Sequence, residues 1–107
     1  MDLNLVVVSG RLATLPELRT FQSGSRLLRL LITVRSDEPR RRVDVLPVTV
    51  WDPAEELLSE ELTPGRRVWV AGATQRRFWT NESGKRSRIE IVANHVEVPE
   101  EPDSETS

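Results

Sequence analysis

Hydrophobic and polar positions alternate along most of this chain, most clearly between Arg66 and Ala93. There Val68, Val70 and Gly72 share one parity. Trp69, Ala71, Ala73, Gln75, Arg77 and Trp79 share the other. Successive side chains of a strand point to opposite faces, so the first set suits a core and the second is left outside. The run predicts two strands, Arg66 to Thr80 and Lys85 to Val98, joined by a hairpin at Asn81-Glu82-Ser83-Gly84. A parity shift near Val92 predicts a bulge at that point.

The same period of two predicts three earlier strands. Leu3 to Leu12 is apolar and β-branched, and Gly10 suggests a bend of the kind a small barrel needs at a corner. Ala13 to Ser25 reads as a connection, with Pro16 unable to donate to a ladder and Ser23-Gly24 as a turn. In Leu27 to Ser36, the residues Leu28, Leu30, Ile32 and Val34 form the inward set; Arg29, Leu31, Thr33 and Arg35 form the outward one. In Asp44 to Trp51, Leu46, Val48 and Val50 point in, while Val45, Pro47, Thr49 and Trp51 point out. Pro39 breaks the charged loop between these strands. Its three arginines are either a flexible phosphate contact or a solvated tip.

After Trp51 the period changes to that of a helix. Ala54, Leu57, Leu58 and Leu62 form an apolar stripe. Asp52 is placed to cap it, Pro53 to occupy its first position and Glu55 to complete a capping box. The expected architecture is all-β: a five-stranded, partly open Greek-key barrel with one α-helix between strands three and four. A meander sheet with one helix is the alternative. The expected organisation is one domain over residues 1–98, followed by a short acidic disordered tail over residues 99–107.

Charge refines this picture. The formal net charge of −2 over 107 residues hides a segregation. Residues 52–62 hold five acids and no base, and residues 99–107 hold four acids and no base. The rest of the chain carries all 15 bases against eight acids, a balance of +7. A basic sheet beside an acidic helix suits a polyanion on one face. Trp51, Trp69 and Trp79 fall on outward positions, where they serve either as platforms for nucleic-acid bases or as cover for a subunit contact.

Catalytic chemistry has no foothold in the sequence. His95 is the only histidine and no cysteine is present, so no disulfide, thiolate metal site or histidine cluster is expected. There is no glycine-rich phosphate loop, GxSxG or HExxH. A non-enzymatic protein without cofactor or metal is expected. No signal peptide or membrane span is expected at the N-terminus, and a cytoplasmic, nucleoid-associated setting is expected.

Four segments, in this order and spacing, resemble the bacterial single-stranded DNA-binding proteins. They are VVVSGRL, PELRTFQSG, VTVWDPAEELLSEELTPGRRVWVAG and QRRFWTNESGKRSRIEIVA, within a match running from about Leu3 to Val98. The resemblance implies an OB-fold that binds single-stranded DNA with little base preference, in replication, repair or recombination. Trp79, with Thr80 and the following turn, matches the family's hairpin tryptophan, and Trp51 matches an aromatic at the end of the third strand. Trp69 matches a position that is often aromatic. Two other aromatic positions of the family, mapping near Pro39 and to Val45, are not aromatic here. Arg11, Arg29, Arg35, Arg76, Arg77, Arg86 and Arg88 are the expected phosphate contacts. The family assembles as homotetramers, or as dimers of two-domain chains; one domain here implies the tetramer. The family's acidic tip ends in a phenylalanine that recruits repair and replication proteins, and that residue is absent from the sequence. A protein-interaction module that has given up DNA is the rival expectation, and single-stranded RNA binding a lesser one.

Overall fold

The computed structural model describes residues 1–100, so all of the expected acidic tail except Pro99 and Glu100 lies outside the described residues. Six strands and one short helix follow in order. They are β1 (Val6–Leu12), β2 (Glu17–Thr20), β3 (Arg26–Ser36), β4 (Arg42–Trp51), α1 (Glu55–Leu58), β5 (Arg67–Asn81) and β6 (Gly84–Glu97). Antiparallel pairing joins β1 to β5, β5 to β6, β4 to β3 and β3 back to β1; a short parallel pairing joins β6 to β4. These pairings close a ring of five strands, with β2 added outside it along β3. The architecture is the OB-fold barrel expected from the alternation.

Closure depends on β1 serving two partners. Val6 to Arg11 pair with β5, while Arg11 and Leu12 also pair with β3. The strand turns that corner at Gly10, where an added Cβ would lie 2.3 Å from the Thr33 carbonyl oxygen and 2.6 Å from Ile32 Cγ2. Only a residue without a side chain allows that approach.

The inward parity fills the barrel. Leu12, Leu28, Leu30, Ile32, Val48, Val50, Val68, Val70 and Ile91 form one buried cluster, closed at one end by Leu57 of α1. Burying each such side chain contributes about 1.5–3 kcal/mol. Outward positions are less uniform: Leu27 and Thr49 are also buried, although their parity points away from the core.

The structure departs from the sequence expectations at three places. The segment Ala13 to Ser25 is not wholly a connection, because it contains β2. All four β2 residues are exposed, so no burial alternation announces the strand; its ladder with β3 alone defines it. The helix is also shorter than expected and has no side-chain cap. Asp52 does not cap it because its carboxylate instead accepts a hydrogen bond from the Arg26 backbone N–H at 2.9 Å, while its own N–H donates to the Arg26 carbonyl at 2.7 Å. Its φ of 46° turns the chain sharply out of β4. Finally, the β5–β6 ladder passes from Gly72↔Ala93 to Ala71↔His95, so the extra residue is Asn94 rather than one at Val92. Gly72 sits at this irregularity because a Cβ there would lie 2.1 Å from the Val92 carbonyl oxygen.

Candidate nucleic-acid interface

The β5–β6 hairpin extends beyond the barrel and sets one end of the candidate site. Asn81 pairs with Gly84, leaving Glu82 and Ser83 as the turn. The Asn81 side chain accepts a hydrogen bond from the Ser83 N–H at 2.9 Å, and Gly84 adopts φ 109°, which glycine takes without steric cost. Directly opposed residues share a face of a sheet. Trp79 therefore stands beside Arg86, Arg77 beside Arg88 and Gln75 beside Glu90. The Arg88 guanidinium lies 5.9 Å from the centre of the Trp79 ring, within cation–π range.

The other end is set by the last residue of β4. Trp51 opposes Leu27, and Thr49 opposes Arg29. The Asp52–Arg26 hydrogen bonds hold the end of β4 against the start of β3. Phe21 stacks on Trp51 with ring centres 5.9 Å apart and planes inclined by 29°. Phe21 itself is positioned by a tight turn, in which its N–H donates to the Ser25 carbonyl and its carbonyl accepts from Gly24 N–H.

These two ends are connected. One hollow is lined by Phe21, Arg29, Thr49, Trp51, Arg77 and Glu90, among others. A second is lined by Arg29, Arg77, Trp79 and Arg88. Arg29 and Arg77 belong to both, so a single groove runs across the outer face from Trp51 to Trp79. Both indoles are open to it: Trp51 is 51% exposed and Trp79 39%.

The structure brings some of the expected residues together and separates others. Trp51, Trp79, Arg29, Arg77 and Arg88 border the groove, and Arg86 stands next to Trp79 at its outer end. Arg76 lies on the opposite parity of the hairpin, where it donates to Ser87 Oγ at 3.0 Å, and only reaches the groove's margin. Arg35 keeps the outward parity of Arg29 but stands six residues further along β3, about 20 Å away. Arg11 lies across the barrel corner and donates to the Gly65 carbonyl at 2.8 Å. Trp69 is exposed on a different wall, beside Ser9 of β1 and Glu97 of β6. Ten residues of β5 separate it from Trp79, about 33 Å of strand.

Ion pairing sorts the arginines further. Arg26 is held by Glu55 at 2.6 Å, Arg42 by Asp44 at 2.8 Å and Arg66 by Glu60 at 3.9 Å. Hydrogen bonding to Asp44, with its charge, raises the Arg42 pKa further above its ordinary value. Arg42, the last of the three arginines expected in the loop, is thus the first residue of β4 and already engaged. Arg29, Arg77 and Arg88 take part in no ion pair among the described residues. Among the described residues no group of three or more His, Asp or Glu is placed to hold a metal, and no helix is long and apolar enough to cross a membrane.

Two groove residues escape the sequence reading. Phe21 lies in a segment read as a connection, and only the turn at Ser23-Gly24 hints that it folds back. Glu90 is 7% exposed despite its charge, and nothing in the alternation separates it from the surface acids.

Comparison with known proteins agrees with this fold. The model of the single-strand binding protein family matches residues 3–99. A single-stranded DNA-binding protein of Caldanaerobacter subterraneus is 31% identical over 88% of this chain and 66% of its own length. Those of Staphylococcus aureus (strain MRSA252) and Treponema pallidum are 30% and 29% identical, over 95% and 91% of this chain. The chain spans 58% of the Treponema protein and 69% of the Staphylococcus one. Among solved structures, a Plasmodium falciparum SSB complex with ssDNA superposes with a TM-score of 0.76 at 23% identity, over 91% of this chain and 93% of the other. That likeness is one of fold. With nearly its whole described length matched by the family model, the chain belongs to the single-strand binding protein family.

Proposed function

We propose that this protein binds single-stranded DNA along the groove between Trp51 and Trp79, without enzymatic activity and with stacking as the main grip. The observation that carries the reading is the arrangement of two exposed indoles on one outer face, with Arg29, Arg77 and Arg88, which form no ion pair among the described residues, between and beside them. Unpaired bases offer two ring faces that a duplex hides, so exposed tryptophans favour single strands. Guanidinium groups neutralise phosphates bidentately. Arg86 and Arg76 extend the basic margin, and Arg11 and Arg35 would be reached only by a strand that wraps around the barrel. The three relatives described above, each above one-quarter identity, carry the same activity in their names, which supports the assignment. Replication, repair or recombination is the setting this activity serves.

Trp69 and Val7 form an exposed apolar wall away from the groove, which we assign to self-association, as a homotetramer. A gel-shift assay tests the main reading. Labelled oligo(dT) should be retarded and matched duplex DNA should not compete; equal competition by duplex would refute it. Recovery of protein partners with no retardation of any single strand would instead favour the interaction-module alternative, and stronger competition by matched RNA would favour RNA.

A further inference from the structure

Glu90 is an anomaly in the groove. It is a carboxylate, 7% exposed, on the floor of a surface otherwise bordered by arginines. Its position in the β5–β6 ladder, opposite Gln75 and one step from the Arg77–Arg88 pair, turns it toward the outer face rather than the core. It also lines the adjoining hollow with Arg29 and Arg88. Yet it makes no side-chain hydrogen bond or ion pair among the described residues. Arg66 Nε is the one fully buried side-chain polar atom there without a partner, so the Glu90 oxygens open onto the groove. A carboxylate with so little exposed surface, lying among arginines and without a protein partner among the described residues, calls for an explanation.

A stacked base supplies one. A ring lying on Trp51 or Trp79 exposes its pairing edge sideways, toward the groove floor. A carboxylate only accepts hydrogen bonds. Guanine presents two adjacent donors, N1–H and N2–H, which match its two oxygens. Cytosine and adenine each present one amino group. Thymine presents a single N3–H flanked by two carbonyl oxygens that repel the carboxylate.

We propose that Glu90 gives the groove a base preference, favouring guanine and disfavouring thymine. This rests on the single-stranded DNA reading and refines it: stacking holds any base, and Glu90 grades them.

The test is a competition assay with oligomers of one length, either all dT or dT with every fourth base replaced by dG or dC. The wild-type protein should prefer the dG-containing oligomer over oligo(dT) by about fivefold, with dC between, one good edge contact being enough for that ratio. Glu90→Gln, whose amide both donates and accepts, should bring the ratio close to one. Equal binding of all three oligomers by the wild type would overturn the inference without any variant being needed. A Glu90→Gln protein that binds every oligomer more tightly with an unchanged ratio would also overturn it, leaving Glu90 as a simple electrostatic brake. Failure to bind any oligomer would sink the single-stranded DNA reading itself, and this inference with it.

Discussion

The Arg88 guanidinium lies 5.9 Å from the centre of the Trp79 ring. That one relationship joins the two kinds of chemistry the groove offers, a flat face for a base and a fixed positive charge for the phosphate beside it. It exists because Arg88 opposes Arg77 in the ladder, two residues from the Trp79–Arg86 pair and on the same face. Repulsion between Arg77 and Arg88 would normally weaken such a cross-strand pair. The ring relieves part of it, and a bound phosphate would relieve more.

Trp79→Ala should therefore weaken oligo(dT) binding by about fivefold or more, since a stacked base in OB-fold proteins of this class is known to contribute about 1–3 kcal/mol. His95→Ala, on an exposed side chain beyond the Asn94 bulge, should leave affinity within about twofold. Equal losses in a titration of both variants would show that the stacking assignment is wrong.

Phe21 holds Trp51 by ring stacking at 5.9 Å. Phe21→Ala should shift Trp51 emission to the red by exposing more of the ring, and should weaken DNA binding severalfold. Measured in a protein whose other two tryptophans are replaced by phenylalanine, unchanged emission would mean that the stack does not persist in solution.

Trp69→Ala should separate self-association from DNA contact. Light scattering is expected to report a smaller assembly, while the affinity of each subunit for a short oligomer changes by no more than about twofold. A large loss of short-oligomer affinity, with the assembly intact, would place Trp69 in the DNA path instead.

Gly10→Ala should cost stability, because its Cβ would meet the Thr33 backbone oxygen at 2.3 Å, an atom that cannot rotate away. Forcing the β1–β3 corner apart is expected to cost about 1–3 kcal/mol in urea denaturation. Wild-type stability in that variant would contradict the closed corner.

The barrel was legible in the sequence because burial and parity coincide. Leu28, Leu30, Ile32, Val48, Val50, Val68 and Val70 alternate in the chain and all lie in the core. Trp51 and Trp79 were legible as outward rings for the same reason. What escaped was whatever a period of two does not encode. The strand β2 lies on the outside of the ring with every residue exposed, so it has no apolar face to betray it. Asp52 had the right spacing for a helix cap, but tertiary hydrogen bonds to Arg26 claimed it. The list of seven arginines could not be divided by sequence alone, because Arg29 and Arg77 meet through the packing of β3, β4, β6 and β5, and Arg11 and Arg35 are carried elsewhere by the same barrel. Glu90 carries no signal of its own in the sequence, because strands distant in the chain form the groove that encloses it.

The most direct measurement is a titration of intrinsic tryptophan fluorescence with oligo(dT) at two salt concentrations. The account predicts quenching as bases cover Trp51 and Trp79. It also predicts a binding constant that falls with salt with a logarithmic slope of about −0.7 per phosphate neutralised, or about −2 if Arg29, Arg77 and Arg88 each engage one. No quenching at low salt, or binding that ignores salt, would contradict it.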